Sequence, residues 1–73
     1  MRLSIITPKG ISFEGEVMRL QFTSSTGLME FLPDHAPMIA EVKRGVVATE
    51  KEEIECGDGV VRIINDEITV VCE

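Results

Sequence analysis

The chain has 73 residues, of which 44% are hydrophobic and 27% are charged, and its formal net charge at pH 7 is −6. This length and composition predict one small soluble domain with a thin core, spanning residues 1–73, and exclude a disordered chain. The negative charge argues against nucleic acid and anionic lipid surfaces as partners, because both bind basic proteins.

Apolar residues fall in six short segments. In the clearest of these, residues 17–23, apolar and polar residues alternate with a period of two, which is typical of strands. In chain order these segments are residues 3–7, 17–23, 38–43, 46–50, 60–64 and 68–72. Their valines and isoleucines are stiff at χ1 and fit a pleated sheet better than a helix. No stretch of ten residues carries a capped helical stripe, so we expect an all-β chain.

Turn-forming residues separate these segments. Turns are predicted at 7–10, 14–15, 24–27, 32–37, 44–45 and 57–59, and the acidic segment 50–53 is predicted to be a solvated hairpin tip. Asn65 and Asp66 tolerate left-handed backbone conformations, which predicts a tight hairpin between the last two strands. Turns about every 8–12 residues indicate a small two-layer β-sandwich, or flattened barrel, of about eight to ten short strands.

The chain offers few groups for catalysis, with one histidine and two cysteines. Cys56 and Cys72 lie in strand-like segments, where reduced, buried thiols are the ordinary expectation. A thiol enzyme that pairs either cysteine with His35 is an alternative, because spatial neighbours need not be sequence neighbours. There is no metal-ligand spacing, phosphate cradle or nucleophile motif, so no metal site and no cofactor are expected.

The segment 32–37, Leu-Pro-Asp-His-Ala-Pro, is open to two interpretations. Its two prolines restrict φ, so the loop loses little entropy on binding, and the adjacent Met38 is an adaptable residue at recognition surfaces. The loop could equally cross between two sheets and place its apolar residues in the core. The residues alone do not decide between a binding loop and a crossing loop.

The chain resembles the epsilon subunit family of F-type ATP synthases. The resemblance rests on residues 11–17, on Pro-x-His-Ala-Pro within 32–38, on Lys-Arg-Gly-Val-Val at 43–47, and on the closing segments 59–63 and 68–71. These occur in the family's order over essentially the whole chain.

The family commonly has glycine at the positions of Glu30, Asp34 and Asp58, and proline at that of Arg44. Aspartate tolerates positive φ, so we expect positions 34 and 58 to keep the family's turns.

The resemblance implies a non-catalytic subunit of the rotor stalk that couples ion translocation to ATP synthesis. In the family, the sandwich domain binds the gamma subunit and rests against the ring of c-subunits. The positions that match the family's gamma-facing residues are Thr7, His35 and Ala40. The positions that match the loop facing the c-ring are Gly27, Leu28 and Met29.

Family members commonly continue into an α-helical hairpin, which in some of them binds ATP. The sequence ends at Glu73, so no ATP binding is expected of it. It has no signal peptide and no apolar run near the ~18 residues of a membrane span, which favours the cytoplasm. The resemblance implies a peripheral place on the cytoplasmic face of the inner membrane. A free-standing β-sandwich binding module with a changed partner is the alternative, motivated by Leu28 and Glu30 near the expected ring contact.

Overall fold

The computed structural model describes residues 1–73 as nine strands without a helix, which confirms the predicted all-β sandwich. The strands are β1 (Arg2–Thr7), β2 (Gly10–Glu16), β3 (Leu20–Ser24), β4 (Gly27–Phe31), β5 (Met38–Val42), β6 (Gly45–Thr49), β7 (Glu53–Cys56), β8 (Gly59–Ile64) and β9 (Glu67–Cys72). None of the chain forms a helix with the length and apolar character needed to cross a membrane.

The strands form two sheets that pack face to face. The five-stranded sheet has the order β2-β1-β9-β8-β5, and the four-stranded sheet has the order β4-β3-β6-β7. Neighbouring strands are antiparallel except β1 and β9, the first and last, which pair in parallel with Ile5 opposite Val70. The five-stranded sheet is therefore complete only when both ends of the chain have joined it.

The core lies between the sheets and is built from inward-facing side chains of the strands, although β2 contributes only the half-buried Phe13. The phenyl rings of Phe22 and Phe31 meet edge to face at its centre, with centroids 5.2 Å apart. Other fully buried side chains are Leu3, Ile5, Val17, Leu20, Val42, Val47, Val61, Ile63, Ile68 and Val70. Each contributes roughly 1.5–3 kcal/mol of hydrophobic stabilisation relative to an exposed side chain.

The strand predicted over residues 17–23 begins only at Leu20, because the chain bends there from one sheet to the other. The side chain of Met18, which is apolar and in step with the buried Leu20 and Phe22, is exposed. The Glu50 carboxylate accepts hydrogen bonds from the backbone N–H groups of Met18, at 2.8 Å, and Arg19, at 3.2 Å. These bonds replace the ladder bonds that a continuous strand would have made.

Three strands, β2, β4 and β7, are absent from the six segments singled out by apolar pattern. The turn predicted at 14–15 is wrong: Gly15 lies inside β2, opposite Leu3. The turns at 7–10 and 24–27 and the tip at 50–53 are confirmed, with Glu53 as the first residue of β7. The hairpin at Asn65 and Asp66 is confirmed as well, with φ of 49° and 60°.

The two aspartates at family glycine positions behave differently. Asp34 has a φ of 65°, as expected, and its backbone N–H donates to Asp66 Oδ1 at 2.9 Å. Asp58 does not adopt positive φ, although the chain still turns there between Cys56, the end of β7, and Gly59, the start of β8. Its carboxylate instead accepts a hydrogen bond from the Arg44 N–H at 2.7 Å, which ties two neighbouring turns together. Glu30 lies in regular strand opposite Gln21.

Candidate partner-binding surfaces

The loop at 32–37 crosses between the sheets, because it joins β4 of one sheet to β5 of the other. The half-buried ring of His35 packs on Phe31 with centroids 4.8 Å apart, and its Nδ1 lies 2.7 Å from the carbonyl oxygen of Ala36. A carbonyl oxygen only accepts, so Nδ1 carries the proton and donates. The crossing between the sheets is thus confirmed, but the loop does not place its apolar residues in the core, because Leu32 is 49% exposed. A binding role for His35 stays a prediction.

Thr7 and Ala40 are placed by their strands in different ways. The Thr7 hydroxyl donates to the Gly10 carbonyl oxygen at 3.2 Å and accepts from the Lys9 N–H at 3.3 Å, so it holds the β1–β2 turn. Ala40 lies in the edge strand β5 opposite Val61, with its methyl group half-buried against the core. Both side chains therefore have structural partners within the chain.

The three predicted gamma-facing residues do not form one cluster. Thr7 follows Ile6, which is opposite Val71 near the end of β9. His35 instead lines an open depression of about 360 Å³ with Asn65 and Asp66, at the start of β9. The six residues of β9 span ~20 Å at ~3.3 Å per residue, so the two sites lie at opposite ends of the sheet.

The three predicted ring-facing residues lie in β4, an edge strand of the four-stranded sheet. Leu28 is 68% exposed and is opposite Thr23, whereas the half-buried Met29 packs against the core. Gly27 begins the strand with a φ of 119° and accepts a hydrogen bond from the Ser24 hydroxyl at 3.0 Å. Leu28 is thus the one side chain of the three that projects from the sandwich.

The outer face of the five-stranded sheet carries an apolar row that the sequence reasoning missed. The strand register places Ile11 opposite Ile6, Ile6 opposite Val71, and Val71 opposite Val60. All four side chains are exposed, Ile11 by 64% and Val71 by 53%. A continuous apolar stripe across four strands is unusual on a surface that meets only water, so this row is a candidate interaction site.

A signal for this row is present in the sequence. Consecutive apolar residues occur in three of the four strands that form the row, as Ile5-Ile6, Val60-Val61 and Val70-Val71. Successive side chains of a strand point to opposite faces, so such pairs place one residue in the core and one outside. Thr7 adjoins the row, in an open depression of about 590 Å³ lined also by Val60 and Val71.

The two thiols are buried and free, as predicted, and they are remote from the histidine. Burial, together with a hydrogen bond to the Cys72 thiol, raises the pKa of the Cys56 thiol to about 12. Cys72 ends β9, whereas His35 lies beside the turn that precedes β9, so the thiol–histidine hypothesis is wrong. The chain contains no group of three or more histidine, cysteine, aspartate or glutamate side chains placed to hold a metal ion.

Comparison with known proteins agrees with this architecture. Residues 1–73 match the family described as ATP synthase, Delta/Epsilon chain, beta-sandwich domain. The chain is 32% identical to the ATP synthase epsilon chain of Nitratiruptor sp., over all of this chain and 60% of that protein. It is 31% identical to the chloroplastic epsilon chain of Nicotiana tabacum, over 97% of this chain and 56% of that protein. The chain thus spans well under two thirds of the length of these curated relatives.

Two solved structures share the fold at low sequence identity. A chain of the Euglena gracilis mitochondrial ATP synthase, solved as OSCP/F1/c-ring, matches with a TM-score of 0.82 and 13% identity, over 96% of this chain and 48% of that one. A chain of the Tetrahymena thermophila mitochondrial ATP synthase central stalk and c-ring matches with a TM-score of 0.75 and 15% identity. The match covers 97% of this chain and 63% of that one. With the family match over every residue, the chain belongs to the family of ATP synthase delta and epsilon chain β-sandwich domains.

Proposed function

We propose that this chain is a non-catalytic rotor-stalk subunit of an F-type ATP synthase, which bridges the gamma subunit and the c-ring and couples ion translocation to ATP synthesis. The observation that carries the proposal is the family match over all 73 residues. Relatives named ATP synthase epsilon chain support it. In this role the protein is peripheral to the membrane, on the cytoplasmic face of the inner membrane.

We assign the gamma contact to the outer face of the five-stranded sheet, with Thr7 at one end and His35 at the other. The methyl group of Ala40 faces the core, so Ala40 takes part in this contact only through the open edge of β5. The accessible surface of the molecule is 4385 Å², so the ~800 Å² per partner of a stable interface would take about a fifth of it. The exposed row from Ile11 to Val60 supplies apolar area for this contact.

We assign the c-ring contact to the β3–β4 hairpin, with Leu28 as its apolar contact and Gly27 and Met29 beside it. Leu28 belongs to the four-stranded sheet, whereas the apolar row belongs to the five-stranded sheet. Two partners can therefore bind to different sides of the sandwich without competing. This separation is what a bridging subunit requires.

The test measures binding to the gamma subunit and to the c-ring of the same organism. Wild-type protein is expected to bind gamma with micromolar or tighter affinity. Val71→Lys is expected to weaken this binding at least 10-fold, because it places a charge within the apolar row. Val46→Lys is the matched control: Val46 is similarly exposed, at 48% against 53%, but lies on the other sheet.

The outcomes separate the candidate functions. Leu28→Glu is expected to weaken c-ring association and to leave gamma binding unchanged. Failure of wild-type protein to bind gamma at micromolar concentration would contradict the proposal. Binding to gamma without binding to the c-ring would favour the alternative, a sandwich module whose second partner has changed.

A further inference from the structure

The side chain of Arg62 is exposed at the middle of the outer face of the five-stranded sheet. Across the strands it is opposite Ile39 on one side and Thr69 on the other. Along β8 the neighbours on the same face are Val60 and Ile64, both exposed. The residues directly opposite Arg62 and beside it on β8 are thus apolar or neutral, and the nearest acidic residues of this face, Glu41 and Glu67, are diagonal to it.

No acidic group of the chain pairs with Arg62. The four salt bridges leave it out, and on this face Glu14 pairs with Arg2 and Glu41 with Lys43. All five donors of the guanidinium are therefore free for a partner.

Two shallow depressions adjoin Arg62. The first has a volume of about 280 Å³ and is lined also by Ile39, Val60, Thr69 and Val71. The second has a volume of about 370 Å³ and is lined also by Pro37, Met38, Ile39, Ile63 and Ile64. An arginine set among apolar depressions is the arrangement typical of an interface hot spot, where arginine and large apolar groups dominate the binding energy.

We propose that Arg62 determines partner specificity on this face, by pairing with an acidic side chain that lies within an apolar patch of the gamma subunit. Covering the apolar row removes water from Arg62 as well, and a cation left unpaired without water is strongly unfavourable. A carboxylate opposite it satisfies the planar guanidinium through two parallel hydrogen bonds. The inference rests on the proposed function for the identity of the partner.

The experiment measures the affinity of the gamma subunit for the 73-residue chain by calorimetry, with Arg62→Ala, Arg62→Glu and Arg44→Glu as variants. Arg44 is exposed, lies in the turn between β5 and β6 and forms no salt bridge, so Arg44→Glu makes the same charge change away from this face. We expect Arg62→Ala to weaken binding about 10-fold, Arg62→Glu more, and Arg44→Glu less than 3-fold. Melting curves of the variants verify that each is folded.

A complementary screen replaces each surface aspartate and glutamate of gamma with lysine and tests binding to Arg62→Glu. One such variant is expected to restore affinity at least 10-fold, and so to identify the acidic partner. If wild-type protein binds gamma but the Arg62 variants bind equally well, the inference is wrong while the proposed function stands. If wild-type protein does not bind gamma, the proposed function fails, and the inference fails with it.

Discussion

At the scale of single residues, three non-glycine residues hold the left-handed backbone conformations of this fold. These residues are Asp34, Asn65 and Asp66. Two of them interact, because the backbone N–H of Asp34 donates a hydrogen bond to Asp66 Oδ1. This bond joins the loop between the sheets to the β8–β9 hairpin. The position of His35 is thereby coupled to a turn thirty residues further along the chain.

Replacing Asp34 tests how much its left-handed backbone conformation costs in stability. Asp34→Ala is expected to destabilise the protein by about 1 kcal/mol, because alanine tolerates a φ of 65° less well than aspartate does. Asp34→Gly is expected to be neutral or stabilising in the folded state, since glycine adopts positive φ freely. Urea unfolding measures both, and equal stability of the two variants would contradict the strain argument.

The Glu50 carboxylate gives the stability a dependence on pH. Desolvation acts to raise its pKa, but the N–H groups of Glu50, Met18 and Arg19, with the nearby Lys51 ammonium, outweigh this and lower the pKa below its ordinary value of 4.5. A carboxyl group whose folded-state pKa is lowered stabilises the fold above its unfolded pKa. That stabilisation is lost as the pH falls below about 4.5 through the folded value.

Glu50→Gln is therefore expected to lower the melting temperature at pH 7 and to have less effect at pH 3. Glutamine keeps the size of the side chain but lacks the negative charge, which strengthens the hydrogen bonds from the N–H groups of Met18 and Arg19. Melting curves of both proteins from pH 3 to pH 7 measure the difference. A difference independent of pH would show that the charge of Glu50 does not hold the bend at Met18.

His35 contributes to the fold and, in the proposed function, to gamma binding. Its contact with Phe31 predicts that His35→Ala destabilises the protein by about 1 kcal/mol. Gamma affinity is expected to fall further, by about 10-fold, and His35→Phe should restore stability but not affinity. Chemical unfolding and binding measurements together separate the two effects, and restored affinity in His35→Phe would make His35 a structural residue only.

At the scale of elements, the strands that could be predicted are those whose apolar residues alternate or cluster locally. The bend at Met18 could not be predicted, because its cause is a carboxylate more than thirty residues away in sequence. β2 was missed because its glycine and glutamates resemble a turn in isolation. Its strand conformation comes from pairing with β1, with Gly15 opposite Leu3.

The candidate site was less predictable than the fold. The motif around His35 indicated the family, but the apolar row exists only once Ile6 and Val71 are brought together by a parallel pairing of distant strands. Local sequence can indicate that a strand is apolar on both faces. It does not indicate which neighbour continues the row.

Gly59 illustrates close packing between elements. A Cβ atom at this position would lie 2.1 Å from the Val71 carbonyl oxygen and 2.7 Å from the Cys72 Cα, both in the backbone of the paired strand. Gly59→Ala is therefore expected to destabilise the protein by about 3 kcal/mol. Gly15→Ala is the control, since its nearest neighbour would lie 3.6 Å away on the Phe13 ring.

Urea unfolding compares the two glycine variants. A large loss of stability in Gly59→Ala with little change in Gly15→Ala is expected. Similar losses in both would indicate that the tight approach of β8 and β9 relaxes to admit a methyl group.

At the scale of the whole molecule, the two thiols report on the integrity of both sheets. Cys56 belongs to the four-stranded sheet and Cys72 to the five-stranded sheet, and both are buried. Because the pKa of Cys56 is raised to about 12 from an ordinary value of 9.0, its thiolate is disfavoured in the folded state. The free energy of unfolding is expected to decline as the pH rises above about 9. In that range the Cys56 thiol of the unfolded chain loses its proton, whereas in the folded chain it keeps it.

Thiol labelling at pH 8 is expected to proceed only through opening of the sandwich. Both cysteines should react much more slowly than a free thiol, and the rates should rise with urea in parallel with unfolding. Labelling with an alkylating reagent, followed by mass spectrometry, measures each site. Rapid modification of either cysteine in native protein would contradict a closed sandwich at this end.

The parallel pairing of β1 with β9 also determines how the molecule responds to force. Tension applied at its two termini pulls these adjacent strands past each other lengthwise, along the direction of both. Their ladder bonds, from the Arg2 and Glu67 pair to the Ile6 and Val71 pair, are then loaded together in shear rather than broken one at a time. The domain therefore resists extension from its ends more strongly than an antiparallel hairpin, whose hydrogen bonds break one after another.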